Sequence, residues 1–291
     1  MDFTNVTIVN VDGRIDELAE TQYALVHSGR QMPGARMLLL SPRRPKILLD
    51  GIEHQCIAPM GYLEYSLFII YALHRFIETD FALIVQNDGW VLGRDNWRPE
   101  FFDYDYLGAP IHFARVRRES GSTYYSGFEW VLHLNESDCR IDIVMNGGFS
   151  LRSRRFLEAP TRLALPFQIP AVSNRPSSPY KLHWDTDSTM EDVHLCIDMR
   201  DRLEAIGMRY APLDVAKHFA FEHLHPALHR DVDLTRVFGH HSRLRRLVSD
   251  RPLTVRFDAL PTQLARIYGE TQVVKLFEYL GYRMEFTAAP A

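Results

Sequence analysis

The chain has 291 residues, with 33 basic and 37 acidic side chains and a formal net charge of −4. That balance excludes a global attraction for nucleic acid or an anionic membrane surface. At 46% hydrophobic residues it is long enough to bury a substantial core, in one large domain or two small ones.

Cys56, Cys139 and Cys196 are few, odd in number and widely spaced, which suits a reducing compartment and outlines no disulfide or zinc framework. The start, Met1-Asp2-Phe3-Thr4-Asn5, has neither a basic nor a cleavable apolar stretch. The greasiest run, 63–77, contains Glu64, Ser66, His74 and Arg75 and falls short of the ~20 residues a membrane span needs. A cytoplasmic protein without a membrane span is expected.

In chain order, Val6 to Val11 reads as a first strand closed by the turn pair Asp12-Gly13. A helix is expected from about Ile15 to His27, a second strand from Arg36 to Leu40, and a buried helix over 61–77. The apolar run from Phe81 to Val85 then leads to Gln86-Asn87-Asp88. This alternation predicts an α/β fold with a mainly parallel sheet and helices on both faces. Ligands of such sheets collect outside the carboxyl ends of the strands, where Asp12 and Asp88 both fall. The polar stretch 112–127 reads as a mobile loop. Residues 166–187, with four prolines and no period, read either as an active-site lid or as a plain surface connection. Helices are expected over Met190–Gly207, with Gly207 as C-cap, over Pro212–His223, and over Pro261–Tyr282.

Three segments carry chemistry. Asp88 closes a strand where a divalent cation could be held, and one carboxylate plus substrate phosphates suffices for Mg²⁺ or Mn²⁺. A plain Asn-Asp-Gly turn explains the same residues without function. Asn146-Gly147-Gly148 reads as a strand end whose missing side chains let backbone N–H groups approach a ligand. The arginines that follow, Arg152, Arg154 and Arg155, face a diphosphate or begin a solvated helix. Ser188-Thr189-Met190-Glu191 has the form of a capping box that accounts for Glu191. Asp192 is left over as a general base, kept ionised by the helix N-terminus. Late in the chain, Phe238-Gly239-His240-His241 offers an imidazole that suits Mn²⁺ better than Mg²⁺, while His223-x-His225 keeps a zinc site open. Together these point to a nucleotide-sugar transferase.

The same blocks carry a resemblance. Val85-Gln86-Asn87-Asp88-Gly89-Trp90-Val91, Glu100 to Pro110, Asn146 to Ser153, Glu191-Asp192-Val193-His194-Leu195-Cys196 and Phe238-Gly239-His240-His241 run in order over about residues 80–242. In these the chain resembles an uncharacterised bacterial and fungal family of predicted GT-A-type glycosyltransferases. More distantly it is similar to fringe-like and β-galactosyltransferase enzymes. Two departures stand out: Asn87 where members often carry Trp, and an Asp-x-Asp reduced to Gln86-Asn87-Asp88.

The resemblance implies a GT-A-like domain over 1–242 and a C-terminal helical extension over 243–291 packed on it. It implies transfer of a sugar, with inversion, from a nucleotide diphosphate donor, a UDP-sugar foremost, to an acceptor glycan or other hydroxyl compound. Asp88 and His241 would hold Mn²⁺ or Mg²⁺, and Asp192 would be the base. Asn10, Asp12, Gln86, Asn87, Asn146, Gly147, Gly148 and Phe149 would line the donor pocket. Trp90, Tyr104, Trp184 and Glu191 would face the acceptor. The rival readings are a zinc-dependent hydrolase built on the late histidines, a nucleotidyltransferase, and a non-catalytic nucleotide-sugar-binding module.

Overall fold

Why the sheet has two covered faces is visible in its first strand. β1 (Val6–Val11) is buried along its whole length, with Val6 and Ile8 joining one hydrophobic cluster and Val9 and Val11 another. Such a strand, apolar on both sides, can sit only in the middle of a sheet. The computed structural model describes residues 2–15, 19–169, 178 and 190–288. After β1 comes α1 (Ala19–Gln31), which packs Leu25 and Val26 into the first cluster. β2 (Arg36–Ser41) and β3 (Ile52–Cys56) extend the sheet in parallel on one side of β1. α2 (Tyr62–Tyr71) sends Ile69 into the second cluster. β4 (Phe81–Ile84) then pairs in parallel with the other side of β1.

Beyond this point the sheet changes character. After β5 (Gly89–Val91), the long strands β6 (Tyr106–Arg118), β7 (Gly121–Tyr125) and β8 (Arg140–Ser153) complete a seven-stranded sheet of order β3-β2-β1-β4-β8-β6-β7. The pairs β4–β8, β8–β6 and β6–β7 are all antiparallel, so the sheet is mixed in equal halves rather than mainly parallel. The expected mobile loop over 112–127 is the β6–β7 hairpin. Its arginines disguise it in sequence because Arg115 and Arg117 are both paired with the fully buried Asp142, while Ala114 and Val116 pack with Phe128 and Trp130.

The remaining elements build two smaller sheets. α3 (Arg154–Arg162) follows β8 directly, with Ser153 as N-cap. The expected helix over Met190–Gly207 is broken into α4 (Glu191–Val193), a π-helical turn over His194–Asp198 and α5 (Arg200–Ala205), and Gly207 ends it at φ +81°. α6 (Leu213–Phe219) gives way to β9 (Ala220–Phe221), short of the helix expected to reach His223. α7 (Pro226–His229) and β10 (Gly239–His241) follow, and β5, β10 and β9 form a three-stranded sheet.

The C-terminal region is not simply helical. β11 (Arg245–Asp250), β12 (Leu253–Phe257), α8 (Pro261–Leu264), α9 (Glu270–Tyr279) and β13 (Arg283–Phe286) form a three-stranded sheet with helices, and Gly269 at φ +79° separates α8 from α9. Leu247, Val255 and Phe257 drive this, packing with Trp90, Phe221 and Phe277 in one shared cluster. No helix among the described residues is long and apolar enough to cross a membrane. Trp184, Ser188 and most of the proline-rich stretch lie outside the described residues.

Candidate functional site

The order β2-β1-β4 makes β1 the strand where the sheet stops growing one way and starts growing the other. A crevice outside the carboxyl ends of two such strands is where open α/β sheets bind ligands. A cavity of about 280 Å³ lies there, lined among others by Asn10, Asp12, Arg14, Tyr65, Gln86 and Asn87. Asn10 is 2% exposed, and among the described residues its Nδ2 has no hydrogen-bond partner. An orphaned buried donor costs free energy, so this one is available to a ligand. Asp12 accepts two 2.8 Å bonds from Arg14, from Nε and Nη2, which fixes a guanidinium at the cavity.

Next to the cavity the small sheet assembles a second group. In the β5–β10 ladder Gly89 faces His241, so Asp88, one residue earlier, comes to the same imidazole. Asp88 Oδ1 lies 3.3 Å from His241 Nε2. Gln86 Oε1 is 3.2 Å from the same nitrogen, and Gln86 Nε2 donates to the Tyr65 hydroxyl at 2.8 Å, joining this group to the cavity wall. On the far side of the ring, Glu222 Oε1 is 3.6 Å from His241 Nδ1, the distance of an ion pair rather than of a hydrogen bond. Burial opposes a charge on His241, yet Asp88 and Glu222 raise its pKa to about 10. Burial likewise pushes Glu222 up, but the His241 contact outweighs it and holds the carboxyl below its usual range.

The glycines are inside a strand, not at its end. Gly108 of β6 pairs with Ser150 and Pro110 with Met145, so β8 carries Asn146–Phe149 opposite Ala109 alone and bulges out of the ladder. Bulges of this kind re-aim backbone beside active sites. Asn146 Oδ1 accepts the Phe149 N–H at 3.0 Å, and Ser150 Oγ donates to the Gly147 carbonyl at 2.9 Å, which holds the bulge in shape. A Cβ on Gly148 would stand 2.5 Å from His241 Nε2 and 2.6 Å from Gln86 Oε1. One on Gly147 would overlap Oε1 of Glu191.

Asp192 closes the arrangement from the other side. Its Oδ2 accepts the Gly147 N–H at 3.3 Å and its Oδ1 accepts the Val193 N–H at 2.8 Å. The expectation of a freely ionised carboxylate is corrected here. Burial first, then the charges of Glu191 and Glu222, push the Asp192 pKa up to about 8, and the short α4 does not compensate. Glu191 was expected to cap with Ser188, which lies outside the described residues. Its carboxylate accepts a 2.8 Å bond from Nη2 of the fully buried Arg152, whose guanidinium lies 4.7 Å over the Tyr106 ring.

Of the residues expected to bind the donor, Asn10, Asp12, Gln86 and Asn87 line the cavity, and Asn146, Gly147 and Gly148 form the adjacent bulge. Phe149 does not reach a ligand with its side chain, which packs between Phe219 and Phe238 in the core. The acceptor-side expectations fare differently. Trp90 is fully buried, 4.1 Å from the His240 ring, with Nε1 donating to the Tyr282 hydroxyl at 2.9 Å, because alternation along β5 turns it away from the site. Tyr104 sits under Arg209 at the opposite end of the sheet, by a separate cavity it shares with Phe81 and Ser153. Arg154 and Arg155 are paired with Glu158 and Asp105 and line that separate cavity, away from the glycine bulge. Trp184 lies outside the described residues. Among the late histidines, His225 Nδ1 accepts the Ala227 N–H as a cap of α7, and its ring stacks on Phe128.

Glu222 was not anticipated. The only signal for it in sequence is a carboxylate directly after a buried apolar pair, Ala220-Phe221.

The residues present fit a hard divalent cation, which would displace the proton that Asp88 and Glu222 hold on His241. Asp88 Oδ1 is buried and accepts no hydrogen bond among the described residues, and its 3.3 Å spacing from His241 Nε2 is close to the roughly 3 Å that separates neighbouring ligands of an octahedral Mg²⁺-type ion. A protein family described as Protein of unknown function (DUF5672) matches residues 64–241, which takes in Asp88, the glycine bulge, Asp192, Glu222 and His241. No curated protein matches the chain.

Proposed function

We propose, from the premise that the chain belongs to the DUF5672 family, that it is a metal-dependent, inverting glycosyltransferase. It would use a nucleotide-diphosphate sugar, a UDP-sugar foremost, and an acceptor hydroxyl. One observation carries this reading: Asp88–His241 and Asp192 meet the same glycine bulge, at Gly148 and Gly147, beside a cavity at the switch point of the sheet.

The cavity receives the nucleotide. Asn10 Nδ2, unpartnered among the described residues, and the Arg14 guanidinium held by Asp12 supply donors to it. A divalent cation bound by Asp88 and His241 supplies neutralisation of the charge that develops on the departing diphosphate. Gly147 of the bulge donates its N–H to Asp192. Asp192 takes the acceptor proton, and burial beside Glu191 and Glu222 makes it a stronger base than a free carboxylate. A non-catalytic binding module would share the cavity but would not need a carboxylate of that character against the glycine edge.

A thermal-shift panel of nucleotide sugars, with and without Mn²⁺, tests the donor, since a ligand of the native state alone raises apparent stability. Asp192→Ala is expected to lower transfer by ~10²–10⁴ with donor-induced stabilisation unchanged. Unchanged turnover removes Asp192 as base, and a panel in which no donor stabilises the protein removes the whole reading.

A further inference from the structure

We infer that Glu222 is a positioning residue, which orients the His241 imidazole toward the cation position and ties it to the glycine bulge through Asn146. The inference rests on the reading of Asp88 and His241 as cation ligands. Phe221 pairs in parallel with His240, so the next residues, Glu222 and His241, run side by side. Glu222 is buried, and a buried carboxylate is expensive unless paired and hydrogen-bonded. Among the described residues its ion-pair partners are imidazoles, His241 at 3.6 Å and His223 at 3.8 Å, rather than an arginine or lysine. Its second oxygen accepts a 2.8 Å bond from Asn146 Nδ2.

Those contacts divide the ring of His241 into two sides. Nδ1 faces Glu222, and Nε2 faces Asp88 Oδ1 and Gln86 Oε1. At 3.6 Å the Glu222 carboxylate faces Nδ1 at ion-pair rather than hydrogen-bond distance, and a carboxylate on that side of the ring favours the tautomer and orientation that leave Nε2 for the cation. Gly148 admits no atom beyond hydrogen beside Nε2, so the ring has one seat. Asn146 is oriented in turn, because its Oδ1 accepts the Phe149 N–H. A relay Phe149–Asn146–Glu222–His241–Asp88 therefore joins the backbone of the bulge to the cation position.

The test uses the full chain and Mn²⁺ alone, with free Mn²⁺ followed by electron paramagnetic resonance. The unsubstituted protein should bind Mn²⁺. Glu222→Gln should bind it 10- to 100-fold more weakly with an unchanged melting temperature in the absence of metal. Equal affinity within twofold overturns the positioning role while leaving the cation site standing. No Mn²⁺ binding by the unsubstituted protein overturns the cation site and this inference with it. Should Glu222→Gln not fold, ¹⁵N-histidine NMR of the unsubstituted protein with Mg²⁺ decides. Nε2 of His241 should respond with Nδ1 still protonated, and a response at Nδ1 instead refutes the assignment.

Discussion

Gly148 has space for a hydrogen and nothing larger, and that single fact links the bulge to the chemistry beside it. A methyl group there stands within 2.5 Å of His241 Nε2 and 2.6 Å of Gln86 Oε1, so one of the two side chains must leave its seat. Gly148→Ala is therefore expected to weaken Mn²⁺ binding at least tenfold, a loss of about 1.4 kcal/mol or more, in a titration of the purified protein. Affinity equal to that of the unsubstituted chain counts against the tight fit. Asp192 shows at the same scale how far a residue's behaviour departs from its local sequence. A helix N-terminus favours a carboxylate, but only by tenths of a kcal/mol to about 1 kcal/mol when exposed. Full burial next to Glu191 and Glu222 is the larger effect, and the proton is held more tightly.

Between elements, the tie that matters most is Arg152 of β8 to Glu191 of α4. Both are buried, at 2.8 Å, and Arg152 also donates to Ser150 and to the Tyr106 hydroxyl. Removing one member of such a pair strands a charge in the core, whereas replacing both with apolar residues of similar volume is often tolerated. Arg152→Met should lower unfolding stability by about 3–5 kcal/mol in a urea titration, and Arg152→Met with Glu191→Leu should recover most of the loss. A double variant no better than the single one would falsify the pair as the source. This tie also explains why the arginine cluster was misleading in sequence. Residues 152, 154 and 155 are adjacent along the chain, but the step from strand to helix at Ser153 sends their side chains to three different partners.

At the level of the whole molecule, the C-terminal sheet is not an appendage. Trp90 from β5 and Tyr282 from the end of the chain share one hydrogen bond, and the Tyr282 hydroxyl also meets His27 Nε2 of α1 at 3.1 Å. His27 is buried, and burial, followed by the charge of Arg30, lowers its pKa to about 4. Its folded value lies below the unfolded one of about 6.5, so its contribution is complete above pH ~6.5 and is lost as pH falls toward 4. The size is on the order of 3 kcal/mol. Unfolding free energy measured from pH 7 to pH 4 should fall accordingly, and His27→Gln should flatten that fall; an unchanged slope in the variant assigns the acid sensitivity elsewhere.

The alternation of apolar strands and helices over the first 88 residues, β3 excepted, and with it the α/β class and the strand-end places of Asp12 and Asp88, can be read from the chain directly. Periodicity and turn residues act over a few positions, and these elements depend on little else. The antiparallel half of the sheet was hidden because buried Asp142 neutralises arginines that are remote from it in sequence. Tertiary structure alone decided that β5, β9 and β10 would lie side by side, putting Asp88, Glu222 and His241 on one imidazole. It also buried Trp90 and raised the Asp192 pKa. Each of these results depends on contacts between segments far apart along the chain, whose burial and electrostatics no local pattern encodes.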